Sequence, residues 1–150
     1  MKLSTRARYG LRAMLELASR HTSSPVMMRS IASEQGLSKR YLDNIFATLR
    51  QAGLVNSVRG ASGGYRLARG ADEILALEVI EALEGDLSLV ACEEEFGGEC
   101  ERYGCCATSE LWSSATAAMR SVFATTTLSS LATRQEVLNA NRFSGVTPEA

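Results

Sequence analysis

Four cysteines, Cys92, Cys100, Cys105 and Cys106, fall within fifteen residues, with seven, four and no residues between them. Thiolates at this density bind metal, carry redox chemistry or form disulfides. In a reducing compartment, metal binding or redox activity is favoured over a structural disulfide framework. Three or four thiolates in a loop suit a bound metal, a closed tetrahedral zinc site among the possibilities. The absence of any Cys-x2-Cys knuckle argues against zinc. A thiol switch without metal is the third reading: a vicinal Cys105-Cys106 disulfide is strained, but Cys92 or Cys100 can pair with either. Glu93, Glu94, Glu95, Glu99 and Glu101 are candidate oxygen donors, although solvated acids need no such role, and the one histidine, His21, is remote in sequence.

The elements that must position this loop are legible in charge and periodicity. The net charge of -1 conceals two opposed halves. Residues 1–70 hold twelve basic residues against three acids, a net of +9, and residues 71–150 hold four against fourteen, a net of -10. A polyanion attracts the first half and is repelled by the second, so the chain is oriented on nucleic acid. With 150 residues, 45% of them apolar, there is enough material for a core. No apolar stretch approaches the ~20 residues that span a bilayer, and a cytoplasmic protein with no membrane partner is expected.

Leu3, Ala7, Leu11, Met14, Leu15 and Ala18 recur on one helical face and predict a helix over 4–20. Val26-Met27 is short and β-compatible. A second helix is predicted over 28–35, stopped by Gly36, and a third follows in which Ser38 caps and Leu42, Ile45, Phe46 and Leu49 form the buried stripe. A short helix, a glycine turn and a capped helix make a helix-turn-helix. The opposite face of the third helix carries Lys39, Arg40, Asp43, Asn44, Ala47 and Arg50, a mixture of donors and acceptors suited to base edges and phosphates. Residues 54–59 alternate as a strand, 60–64 turn, and 65–67 return, which predicts a wing. The glycine-rich turn lacks the Gly-Lys-Ser/Thr ending of a phosphate loop, so nucleotide binding is not expected. Arg59 at the wing tip is placed to enter a minor groove.

Downstream of the cysteines, Leu111, Trp112, Ala115, Met119, Val122 and Phe123 form an apolar stripe over 107–124, wider than one small winged helix can cover. Dimerisation through it is expected. Thr125-Thr126-Thr127 offers a cap for a last helix, and 141–150 reads as a flexible tail. A thiol oxidoreductase or cluster carrier is the competing class. It is disfavoured by the lack of a Cys-x2-Cys motif near a βαβ unit, by the single remote histidine, and by the +9 half, for which a carrier has no use.

The sequence also resembles the IscR-like family of bacterial winged-helix regulators, typified by the iron-sulfur cluster regulator. The match runs over nearly the whole chain. It rests on Met1-Lys2-Leu3-Ser4-Thr5 with Arg8-Tyr9-Gly10, on residues 41–46, on Leu49-Arg50 with Gly53-Leu54-Val55, and on Val58-Arg59-Gly60 with Gly63-Gly64-Tyr65. Glu78-Val79-Ile80, the interval from Cys106 to Trp112, and Gln135-Glu136-Val137-Leu138 complete it. The resemblance implies a homodimeric repressor or activator, not an enzyme, with a cluster on three cysteines. The cysteine spacing departs from that of IscR-like proteins, and Ser109 stands where they place a histidine ligand. The pattern Cys92-x7-Cys100-x5-Cys106 is closer to the iron-responsive branch, where a [4Fe-4S] cluster is implied. A [2Fe-2S] cluster is the alternative, and Cys105 is a candidate fourth ligand.

The expected fold is therefore mainly α, a winged helix-turn-helix DNA-binding domain with a long C-terminal dimerisation helix. Its segments are the DNA-binding region 1–70, a connecting helix in 71–91, the cluster loop 92–106, the dimerisation and last helices in 107–140, and the tail. Expected metal ligands are Cys92, Cys100 and Cys106. Expected contacts to double-stranded promoter DNA are Arg6, Tyr9, Ser38, Lys39, Arg40, Tyr41, Asp43, Asn44, Arg50, Arg59, Gly60 and Arg66.

Overall fold

Ser4 opens the first helix, α1 (Thr5–Ser19), its hydroxyl accepting from the Ala7 N–H at 3.2 Å. Ala7, Gly10, Ala13, Met14 and Leu17 follow at spacings of three and four and are all buried. The computed structural model describes residues 2–20, 24–60, 63–90, 102 and 105–143, with the backbone only of Phe143. Cys92, Cys100, the five acids from Glu93 to Glu101, His21 and residues 144–150 of the expected tail lie outside the described residues.

The second helix, α2 (Met28–Gln35), stops at Gly36, whose φ of +63° is the left-handed region that glycine enters without steric cost. The chain redirects there into α3 (Lys39–Gln51), where Ser38 accepts from the Tyr41 N–H as the expected cap. Leu42, Ile45, Phe46 and Leu49 are fully buried in the stripe that periodicity predicts. Each such side chain stabilises the fold by about 1.5–3 kcal/mol relative to exposure. The wing is β1 (Val55–Val58) antiparallel to β2 (Gly64–Leu67), with Val55 opposite Leu67 and Val58 opposite Gly64. Val26 extends it, exchanging backbone hydrogen bonds with Tyr65 at 2.8 and 2.9 Å. The Tyr65 ring lies 4.6 Å from that of Phe46 and so sets the wing against α3.

After the wing comes α4 (Ala76–Glu84), entered through Glu78, whose carboxylate accepts from the Leu75 N–H at 2.9 Å and pairs with Arg69. The helix crosses α1 where Gly10 has no side chain to hold it off, and at its far end Glu84 accepts the N–H of Ser4. α5 (Ala107–Ala124) runs along α4 and is tied to it by an Arg120–Glu81 ion pair. The last helix, α6 (Leu128–Phe143), returns to lie on α1. Its entry docks on the segment before α4: Leu128 N–H donates to the Ile74 carbonyl and Ser129 N–H to that of Ala71, each at 2.9 Å. Leu128 thus shares one core with Met14, Ile31 and Phe46.

The fold is mainly helical with a two-stranded wing, as expected. Two boundaries are corrected. α1 spans 5–19, because Ser4 serves as cap and Arg20 is already extended. The expected tail at 141–150 begins too early: α6 continues through Phe143, since no helix breaker precedes Gly145 and Arg142 sits favourably in the last turn.

Candidate nucleic-acid interface

The exposed side of α3 is held by three contacts to α1 and by an ion pair of its own. Arg6 donates from its guanidinium to Thr48 Oγ1 in the last turns of α3. Near the start of α3, the Tyr9 ring meets Tyr41 edge-on at 6.2 Å, and Thr5 Oγ1 lies 3.4 Å from the Tyr41 hydroxyl. Arg8 and Arg12 sit over the Tyr9 ring at 5.8 and 5.7 Å, so two more guanidinium groups border this face. Lys39 Nζ donates to Asp43 Oδ2 at 2.9 Å.

Of the twelve candidate DNA-contacting residues, the structure pairs Tyr9 with Tyr41, Ser38 with Tyr41 and Lys39 with Asp43 at the first half of α3, and sets Arg6 on its last turns. Arg40, Asn44 and Arg50 are exposed along the same helix. Arg59 and Gly60 are exposed where β1 ends, and Arg66 is exposed on β2. These three belong to the wing. Sequence reasoning missed Thr48, the partner of Arg6, and the Arg8–Tyr9–Arg12 stack. The stack has a signal in its spacing, one residue before and three after an aromatic on a helix, whereas nothing local marks Thr48.

The cysteine segment is described at its two ends. On the approach, Leu87 is buried and the Leu89 N–H donates to Thr116 Oγ1 at 3.3 Å. Thr116, the one buried residue of α5, is a hydroxyl inside an apolar stripe, a signal that sequence reasoning passed over. On the exit, Cys106 is the N-cap of α5 and Cys105 lies exposed beside it, the two thiols unbridged. The Thr108 hydroxyl lies 3.1 Å from Cys106 Sγ. That hydrogen bond first, then the backbone N–H groups of Ser109 and Thr108, holds the Cys106 thiol below the usual cysteine value. Ser109 donates its hydroxyl to the Cys106 carbonyl at 2.8 Å and is thereby occupied as part of the helix cap. Among the described residues no group of three or more His, Cys, Asp or Glu gathers to hold a metal.

On α5, Leu111, Trp112 and Val122 are exposed, while Ala115, Met119 and Phe123 are half-buried, so the expected stripe is largely uncovered in one chain. No helix among the described residues is long and apolar enough to cross a membrane.

Residues 3–134 match the Rrf2 family, described as an iron-dependent transcriptional regulator. The chain belongs to the Rrf2 family of transcriptional regulators. It is 41% identical over 131 residues to protein rrf2 of Nitratidesulfovibrio vulgaris (strain Hildenborough), covering 87% of both chains. Its fold is similar to that of CymR, the global cysteine regulator of B. subtilis, with a TM-score of 0.76 and 42% identity over 89% of this chain and 98% of that one. It is also similar to T. potens IscR, with a TM-score of 0.71 and 34% identity over 99% of this chain and 94% of that one. The resemblance to IscR-like regulators is thereby confirmed, and Rrf2 membership accounts for the winged helix and the basic half together. IscR and CymR carry different names within one family, so membership alone leaves the signal to be argued from this chain's own residues.

Proposed function

We propose that this Rrf2-family regulator acts in the cytoplasm as a homodimer that reads a pseudo-palindromic promoter site, and that an iron-sulfur cluster on Cys92, Cys100 and Cys106 tunes that reading. The observation that carries the proposal is the anchoring of both ends of the cysteine segment on the helices that support α3. The approach is pinned by Leu87 and by the bond from Leu89 to Thr116, and the exit is the N-cap of α5. α5 is joined to α4 through Arg120 and Glu81, and α4 sets Leu83 against Gly10 of α1 and beside Ile45 of α3. A loop that tightens or relaxes between such anchors acts on the same helix stack that orients α3.

The donor set fits a cluster. Cys106 is biased toward the thiolate that a metal requires, and the cap bond of Ser109 argues against it as a fourth ligand, which leaves Cys105 as a candidate fourth donor that the cluster does not require. When bound, the cluster supplies a cross-link sensitive to iron and oxidants. On the DNA side, α3 enters a major groove and Arg59 a flanking minor groove, while the α5 stripe joins two copies so that their recognition helices lie about 34 Å apart.

A second reading, a thiol switch without metal, is favoured by the similarity to CymR together with the exposed Cys105 thiol beside a thiolate-biased Cys106. One preparation separates them. Purified without oxygen, the protein should be brown, contain iron and sulfide, and shift a promoter fragment in a salt-dependent way. A colourless, iron-free protein whose DNA binding responds to oxidant alone establishes the switch, and zinc in that preparation overturns both readings.

A further inference from the structure

The pairing of Lys39 with Asp43 is a poor choice for the helix that contains it. Lys39 is the first residue of α3, where the helix dipole disfavours a cation, and a lysine four residues before its acid is the weaker order of such a pair. Both side chains are well exposed, at 64% and 42%, so the bond at 2.9 Å adds little to stability. Its effect on a polyanion is larger. Asp43 is the only acid of α3, and alone it is repelled by phosphates. With Lys39 Nζ on Oδ2 the carboxylate has a cation beside it on the side of the helix start, and Oδ1 has no hydrogen-bond partner among the described residues. In a major groove the amino groups that can donate to that oxygen belong to cytosine N4 and adenine N6.

We propose that Lys39 is a positioning residue for Asp43: it screens and aims the carboxylate so that Asp43 Oδ1 accepts from a cytosine or adenine amino group, and the pair sets the base preference at that position. This rests on the reading that α3 enters the major groove. A lysine used for affinity alone would contact a phosphate independently of Asp43.

The test uses the full chain as isolated without oxygen. The parent, Lys39→Gln, Asp43→Asn and the double variant are each selected on a randomised operator library. They are then titrated on the selected duplex and on duplexes changed at single positions. Lys39→Gln should weaken binding about tenfold, the size of one good base contact, and alter preference at the position where Asp43→Asn flattens it. In the Asp43→Asn background, Lys39→Gln should cost less than about twofold, and the salt dependence of binding should be unchanged by Lys39→Gln. An equal loss in both backgrounds, with the salt slope reduced by about one, makes Lys39 an independent phosphate contact and overturns the pair. If neither single variant affects binding to any duplex, the reading of α3 as the DNA-contacting helix fails with it. Unchanged thermal melting of the variants shows that any loss is not one of folding.

Discussion

Gly10 of α1 faces Leu83 of α4 so closely that a Cβ on Gly10 would lie 2.1 Å from Leu83 Cδ1 and 3.3 Å from Ile45 Cγ2. Helices α1, α4 and α3 therefore meet at one point. A glycine inside a helix costs about 1 kcal/mol relative to alanine, so its presence there needs a packing reason, and Leu83 supplies one.

Gly10→Ala should accordingly lose stability even though alanine is the better helix former. Overpacking a closed site costs about 1–3 kcal/mol, which outweighs the gain in propensity. Denaturant melts should show a net loss of about 1 kcal/mol in the parent background and a gain in a Leu83→Ala background, where the space is open. A stabilised single variant would show that Leu83 moves aside freely.

Cys106→Ser, Cys92→Ser and Cys100→Ser should each abolish iron and sulfide binding, whereas Cys105→Ser should retain most of both. Metal analysis of the four variants after anaerobic purification provides the check. A full cluster in Cys106→Ser with loss in Cys105→Ser exchanges the two assignments.

Val122, 62% exposed on the α5 stripe, is the place to break a dimer without opening the core. Val122→Glu should shift the protein to monomer in sedimentation experiments. Losing the second half-site should lower operator affinity by about a hundredfold or more. A parent protein already monomeric at the concentrations where it binds DNA would contradict the dimer reading.

Glu78 provides a pH test of how the wing joins α4. Burial pushes its carboxyl upward, but the Leu75 N–H and the Arg69 guanidinium outweigh that and hold it below the usual value. A carboxyl lowered in the folded state contributes stability above its unfolded pKa of about 4.3 and loses it as pH falls through the folded value. Glu78→Gln should therefore be less stable than the parent at pH 7. The two melting temperatures should converge in acid below about pH 4.3. A constant difference across that range would mean that the charge of Glu78 is irrelevant.

Much of the scaffold was legible because local pattern and burial coincide. Leu42, Ile45, Phe46 and Leu49 repeat at helical spacing and are all fully buried, and Gly36 and Ser38 act through their own backbone geometry. The bounds of α5 at 107 and 124 also match the expected ones, because its apolar residues recur at helical spacing along its length. What stayed hidden depends on pairs distant in sequence. Arg6 with Thr48, Ser4 with Glu84, and Leu89 with Thr116 have partners 27 to 80 residues away, and nothing in the neighbourhood of either member marks it. The candidate site divides the same way: the exposed face of α3 was readable from periodicity, but the restraint of Asp43 by Lys39 rests on one rotamer pair. For the cysteines, composition narrowed the chemistry to metal binding or thiol redox, and the role of Ser109 as a cap appeared only with the start of α5.

The return of α6 onto α1 has a consequence for how the protein comes into being. Leu128 belongs to the same core as residues of α1, so α1 has part of its packing surface supplied by residues made more than a hundred positions later. Closing a loop of more than a hundred residues is an entropic delay that local helix formation cannot shorten. A nascent chain carrying the whole helix-turn-helix and wing still lacks the cover for α1, so a stalled or prematurely terminated product presents a sticky apolar groove and not a working half of a regulator. By this arrangement, only a chain translated through the cysteine segment and beyond completes the support for α3.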